Sequence, residues 1–164
     1  MEEETYRRLP DRRDHNCFGC SPTNPAGLQL KFFTDEESVF TRVSVPDHLC
    51  GWDNLVHGGV LTTILDEIMG WAATHMLKKF TLTRSITVNF LKPAYAGTEL
   101  RAEGRVLQVK SDREALMEGL IYNSQGVLCA RSTGTFALFT ASAINKLGIV
   151  DEETVNRLEH IIEQ

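Results

Sequence analysis

From His57 to Asp66 the chain places two features that chemistry can use: a glycine pair, Gly58-Gly59, opening an apolar run, and a carboxylate nine residues after the histidine. If a helix starts at the glycines, its first backbone N–H groups point outward with a partial positive charge. That setting stabilises an oxygen gaining negative charge during a reaction. Asp66 supplies the complementary half, a general base or a nucleophile. An ionised carboxylate in the middle of a covered helix is costly unless it is paired, hydrogen-bonded or used. Glu67 lies about 100° round the helix from Asp66 and is expected to reach solvent or an arginine such as Arg84.

The two halves cannot meet within one helix. At about 1.5 Å per residue they stand roughly 11 to 12 Å apart, whereas reacting groups must lie about 3 Å from the same substrate atoms. Two such helices paired antiparallel bring the glycine end of one to the aspartate of the other, which predicts an obligate dimer with two composite sites. The stripe Gly59, Thr62, Thr63, Asp66, Gly70 and Ala73 is small and weakly polar, fitting the close approach of a second helix.

These residues need a helix to carry them. Residues 56 to 77 read VHGGVLTTILDEIMGWAATHML, apolar at helical spacing on every face, so the helix must be covered all round; Lys78 and Lys79 end it. Alternating patterns predict strands beginning at Leu28 and over 39–45, 81–91, 99–109, 114–123 and 127–140, with hairpin turns at 35–37 and 123–126. Short connections make the sheet antiparallel. Residues 1–15 are charged and form a short helix or a loose arm that packs through Tyr6 and Leu9, residues 16–27 are turn-rich, 141–148 are a connector, and 151–164 form an amphipathic helix. The chain is thus an α+β protein with a single domain over 1–164: arm 1–15, core 16–140, C-terminal connector and helix 141–164.

Four segments resemble one family. HGGVLTTILDEIMGWAA with Asp66 at its centre, NCFGC at 16–20, NPAGLQL at 24–30 and ITVNFLKPAYAGTEL at 86–100 are similar to the hotdog-fold acyl-CoA thioesterase superfamily, in its PaaI-like branch, over about residues 16 to 140. The resemblance implies an antiparallel sheet of five or six strands wrapped around one long central helix, here with a C-terminal helix added. It also implies dimers that share active sites, and hydrolysis of acyl-CoA thioesters, with Asp66, Gly58 and Gly59 catalytic. His57 is a candidate catalytic base, but in that pattern it more often fixes the turn or borders the pocket. Asn54 either hydrogen-bonds a carbonyl or water or makes an Asx turn or cap. Thr83 matches the threonine or serine that holds the attacking water in some relatives. Simple alternation, however, sets Thr83 with Ser85, Thr87 and Asn89 on the face away from the helix. CoA enters as part of the acyl-CoA substrate, so no bound cofactor is expected. A homodimer and a dimer of dimers both fit.

Composition narrows the field further. A chain of 164 residues, 42% hydrophobic, has the size of one substantial core. Its net charge of −5, with no basic run longer than a pair, argues against nucleic-acid and anionic-membrane surfaces. The charged first residues are neither a signal peptide nor a membrane span, so the expected address is cytoplasmic. Cys17, Cys20, Cys50 and Cys129 fit free thiols there. Zinc at Cys17-x-x-Cys20 needs two further ligands, for which His15, His48 or Cys50 could be recruited, but no second CxxC or HxxxH pair exists and no metal is expected; the resemblance to the PaaI-like branch, which carries this CxxC beside NPxGL, implies a structural turn.

No GxSxG, P-loop or GxGxxG is present, which excludes serine-hydrolase elbows and nucleotide fingerprints. A non-catalytic acyl-CoA-binding module is the alternative reading, against which Asp66 stands. Hydration of enoyl-CoA lacks a suitable Asp and His pair. Lys92, Arg105, Lys110 and Arg113 are candidates for CoA phosphates, and Met69, Trp71, Trp52 and Phe90 for an apolar acyl pocket.

Overall fold

A computed structural model describes residues 6–13 and 15–164; the first five residues of the N-terminal arm and Asp14 lie outside the described residues. The central helix α1 runs Gly58–Leu77. Around it lies a seven-stranded sheet: β1 (Arg7–Arg8), β2 (Phe33–Thr34), β3 (Val39–Ser44), β4 (Phe80–Phe90), β5 (Glu99–Ser111), β6 (Glu114–Tyr122) and β7 (Leu128–Phe139). Their spatial order is β1-β2-β3-β5-β6-β7-β4, with every pairing antiparallel. This is the hotdog arrangement; the strand count exceeds five or six because β1 and β2 are two-residue ladders at the rim. β4, eleven residues long, forms the other edge.

The helix is held by its own apolar faces. Ile64, Leu65, Ile68, Met69, Ala72 and Ala73 are fully buried against inward residues such as Leu100, Ala102, Met117, Ile121 and Phe136. Burying one such aliphatic side chain contributes about 1.5–3 kcal/mol, so this layer fixes where Asp66 stands. At the closest approach of helix to sheet sits Gly104. A Cβ there would collide with the Ile68 carbonyl oxygen, so no other residue lets β5 pass this near.

On the outer face of the sheet Glu118 is fully buried beneath two guanidinium groups, accepting from Arg105 Nε at 2.8 Å and from Arg131 Nη2 at 2.6 Å. Arg105 is thereby committed to Glu118. Tyr6 meets the Phe40 ring edge-on at 4.4 Å, and Leu9 is buried, so the described part of the arm packs as expected.

Two expectations need correction. Leu30 and Phe32 are buried in the expected alternation, but residues 28–32 do not begin a ladder. Leu28 N–H donates to Phe18 O at 2.9 Å and Leu30 N–H to Gly19 O at 3.1 Å, so their backbone bonds go to the preceding turn. The segment 141–148 is not a plain connector: Ala141–Leu147 is helix α2, capped by the Thr140 hydroxyl, which accepts from Ala143 N–H at 3.2 Å, and closed by Gly148 at φ +66°. Seven residues with a single buried side chain, Ile144, carry too little periodicity to reveal it. Helix α3 (Glu152–Glu163) follows, with Asp151 accepting from Thr154 N–H at 2.8 Å. Among the described residues no helix is long and apolar enough to cross a membrane.

Candidate active site

The glycine end is built by the loop before it. His57 N–H donates to Leu49 O and Val56 N–H to Ala94 O, which pins the chain as it enters α1. His57 is the N-cap: its backbone is extended, its carbonyl accepts from Val60 and Leu61, and its Nδ1 accepts from Gly59 N–H at 2.8 Å. His57 thus caps the helix it precedes. It has a consequence for the glycine pair. Gly59 N–H is occupied by the cap, and a Cβ at 59 would lie 3.0 Å from that same nitrogen. Gly58 N–H meets no acceptor among the described residues. Its α-carbon faces the ring of Phe90, 3.4 Å from where a Cβ would stand. Asn54 contributes its carbonyl to Ala96 N–H at 2.9 Å, and its side chain is exposed and caps nothing.

The carboxylate end is joined to the sheet. Thr83 Oγ1 donates to Asp66 Oδ1 at 2.7 Å. Alternation alone points Thr83 away from the helix, and the reason it does not is a β-bulge: Thr83 pairs with Phe136 and Ser85 with Thr135, so three residues of β4 span two of β7. Upstream of the bulge Thr81 and Thr83 face α1, with Thr74 and Thr81 hydroxyls 3.3 Å apart; downstream Ile86 and Val88 do. An extra residue re-aims the side chains on either side of it.

Glu67 does not reach Arg84, which pairs with Glu114 at 2.9 Å. Instead it packs under the 16–20 turn, where the Cys17 thiol donates to its Oε1 at 3.4 Å. Burial above all pushes the Glu67 carboxyl up to about 8. A pocket of about 270 Å³ opens here, with Asp66, Thr83 and Glu67 on its polar side and Trp71, Phe136 and Ile162 on its apolar side. Of the aromatic and methionine residues considered for an acyl pocket, Trp71 lines it and Met69 is buried in the core. Trp52 and Phe90 are exposed near the glycine end.

The structure thus brings Asp66 and Thr83 together, and Gly58, Gly59 and His57 together, but not the two groups in one chain, and it leaves the Asn54 side chain outside both. Eight residues of helix, about 12 Å, separate Gly58 from Asp66. The sequence names Gly58 and Gly59 together; that His57 takes the Gly59 N–H and leaves Gly58 as the free donor is not read from it, although a histidine directly before two glycines is itself a capping signal.

Comparison with known proteins agrees with this architecture. Residues 53–130 match the model of the thioesterase superfamily. An uncharacterized protein of Schizosaccharomyces pombe is 29% identical over 93 residues, covering 54% of this chain and 53% of that protein, so the match spans about half the length of that relative. The PaaI protein of the E. coli phenylacetic acid degradation operon superposes with a TM-score of 0.62 at 19% identity, covering 69% of this chain and 81% of that one. A Streptococcus mutans protein bound to acetyl CoA gives 0.61 at 21%, covering 66% and 87%.

Proposed function

We propose that this chain, a thioesterase superfamily protein through its residues 53–130, hydrolyses an acyl-CoA thioester to the free acid and CoA in a site shared by two subunits. The observation that carries this reading is the oriented carboxylate, Asp66 held by Thr83 at 2.7 Å, opening on a pocket with an apolar wall. Its complement is the unpaired Gly58 N–H at the head of the partner's copy of the same helix. The Streptococcus mutans relative with its bound acetyl CoA supports CoA thioesters as the ligand class.

The fold offers a way to assemble the halves. α1 runs antiparallel to β4: Thr74 meets Thr81 at one end, and Gly58 abuts Phe90 at the other. β4 is an unpaired edge with Leu82, Phe90 and Leu91 exposed, a surface that natural proteins cover or pair. Two β4 edges paired antiparallel about a two-fold near Ile86 set Thr83 of one opposite the Asn89-Phe90 end of the other. Asp66 of one subunit then faces Gly58 of the second.

In the reaction the thioester oxygen accepts from Gly58 N–H, with the helix dipole favouring the charge that develops there. Gly59 supports that donor indirectly, its own N–H being held by His57. Asp66 takes a proton from the attacking water, or attacks the carbonyl itself, while Thr83 fixes its orientation. The acyl group enters the pocket beside Trp71 and Phe136, whose volume favours a short or single-ring acyl group. CoA leaves as product and needs no bound cofactor. Lys92, Lys110 and Arg113 remain candidates for its phosphates.

The test is thiol release from a panel of acyl-CoA esters, short, medium and long chains plus phenylacetyl and benzoyl, by wild type and Asp66→Asn. Release by wild type and not by the variant supports the assignment. Tight ester binding with no thiol release from either replaces it with a non-catalytic acyl-CoA-binding module.

A further inference from the structure

Beside Asp66, on the wall of the same pocket, stands a second group of chemically capable side chains that the hydrolysis does not use. The turn 15–21 is tightly tied: Ser21 N–H donates to Cys17 O at 3.1 Å, Ser21 Oγ to His15 O at 2.6 Å, and the strand-like segment after it bonds to Phe18 O and Gly19 O. The tie draws His15, Cys17 and Cys20 into one cluster, their ligand atoms within 4.8 Å of one another. From α1, Glu67 Oε1 reaches the cluster at Cys17, 3.4 Å from its Sγ. Gly19 makes this possible, since a Cβ there would collide with Glu67 Cγ.

The chemistry of the four donors is specific. A tetrahedral centre with metal–sulfur bonds of about 2.3 Å and metal–nitrogen bonds of about 2.0 Å spaces its ligand atoms roughly 3.5 Å apart. The Cys17 to Glu67 separation already has that value, and the three separations among His15, Cys17 and Cys20, each within 4.8 Å, need only a small contraction. His15 Nε2 lies 2.8 Å from Arg12 O, which takes the ring proton and leaves the lone pair on Nδ1; that lone pair accepts from Cys17 N–H at 3.2 Å, a bond that ligation exchanges for one to the metal. A ligating histidine held through its other ring N–H by a backbone carbonyl is the usual supporting arrangement. Two thiolates, one imidazole and one carboxylate select zinc over the hard cations.

We propose that His15, Cys17, Cys20 and Glu67 bind one zinc ion, which fastens the N-terminal turn to the central helix one residue beyond Asp66. Three ligands come from a six-residue turn and the fourth from 47 residues later, so the spacing of the cysteines alone does not disclose it. Binding displaces the protons of both thiols and of Glu67 and stabilises the folded chain. Asp66, on the neighbouring helix position, stays free for its own work.

The test uses the full chain, purified reduced and without chelator. About one zinc per chain is expected. Cobalt(II) added to the stripped protein should give thiolate-to-cobalt charge transfer and the intense visible bands of a tetrahedral site. Cys17→Ser and Cys20→Ser should lose the zinc, Glu67→Gln should bind it about tenfold or more weakly, and Cys50→Ser should keep it. No retained zinc with weak, octahedral cobalt bands would overturn the proposal. So would zinc held equally well by Cys20→Ser or Glu67→Gln, or lost by Cys50→Ser. Should a cysteine variant fail to fold, the wild-type cobalt spectrum decides alone, because it reports thiolate ligands without any substitution.

Discussion

Thr83 and Asp66 are joined by a hydrogen bond of 2.7 Å that runs from an edge strand to the middle of the central helix. It exists because the ladder between β4 and β7 slips by one residue between Thr83 and Ser85, so that Thr83 faces the helix along with Ile86 and Val88. A bulge, a hydroxyl and a carboxylate therefore act as one positioning device. The pocket beside them gives the device something to act on.

If Thr83 orients Asp66, then Thr83→Val, which keeps shape and removes the donor, should lower kcat about 10- to 100-fold with KM little changed. Thr83→Ser should restore most of the loss. Steady-state thiol release on the best ester of the panel reads both. A valine variant with wild-type kcat would leave the hydrogen bond without a catalytic part.

Gly58→Pro isolates the backbone donor. Proline is well tolerated at the first helical position, its ring supplies the φ a helix needs, and the extended His57 before it suits the residue preceding a proline. The substitution thus deletes the N–H while leaving the helix. A fall in kcat of about 100- to 1000-fold is expected, as for loss of one oxyanion donor, with an unchanged far-UV circular dichroism spectrum. An active, folded proline variant would remove Gly58 from the mechanism.

Glu118 sets an acid limit on stability. Burial alone would raise its carboxyl, but the Arg131 and Arg105 hydrogen bonds outweigh that and hold it below the ordinary 4.5. A carboxylate depressed on folding contributes stability above the unfolded value, and the contribution is lost as pH falls through the folded one. Glu118→Gln should cost about 2–3 kcal/mol at pH 7, less than a fully buried pair because both arginines are half exposed. The gap between variant and wild type should shrink as pH falls below 4.5. Urea unfolding at a series of pH values measures this, and a constant gap would contradict it.

Much of this arrangement is legible in the sequence, and the gaps have physical causes. The helix, the four long strands and the Tyr6 and Leu9 anchors follow from periodicity because each buries a continuous apolar face. Thr83 conflicts with alternation because a bulge changes parity without changing composition. Gly59 cannot be separated from Gly58, since which N–H a capping histidine takes depends on the geometry of the turn. Periodicity sends Glu67 to solvent or Arg84, yet it meets a turn 50 residues away, a contact that no local pattern encodes. Helix α2 is too short to announce itself.

The central claim is that Asp66 and Gly58 work together from different subunits, and mixing two inactive chains tests it most directly. Asp66→Asn and Gly58→Pro chains, carrying different tags and co-expressed, form heterodimers in which one of the two sites has both groups intact. Random pairing makes half the dimers mixed, so thiol release should recover to about one quarter of wild type, and purified heterodimers to about half. Activity no greater than that of the two parents would contradict the shared site.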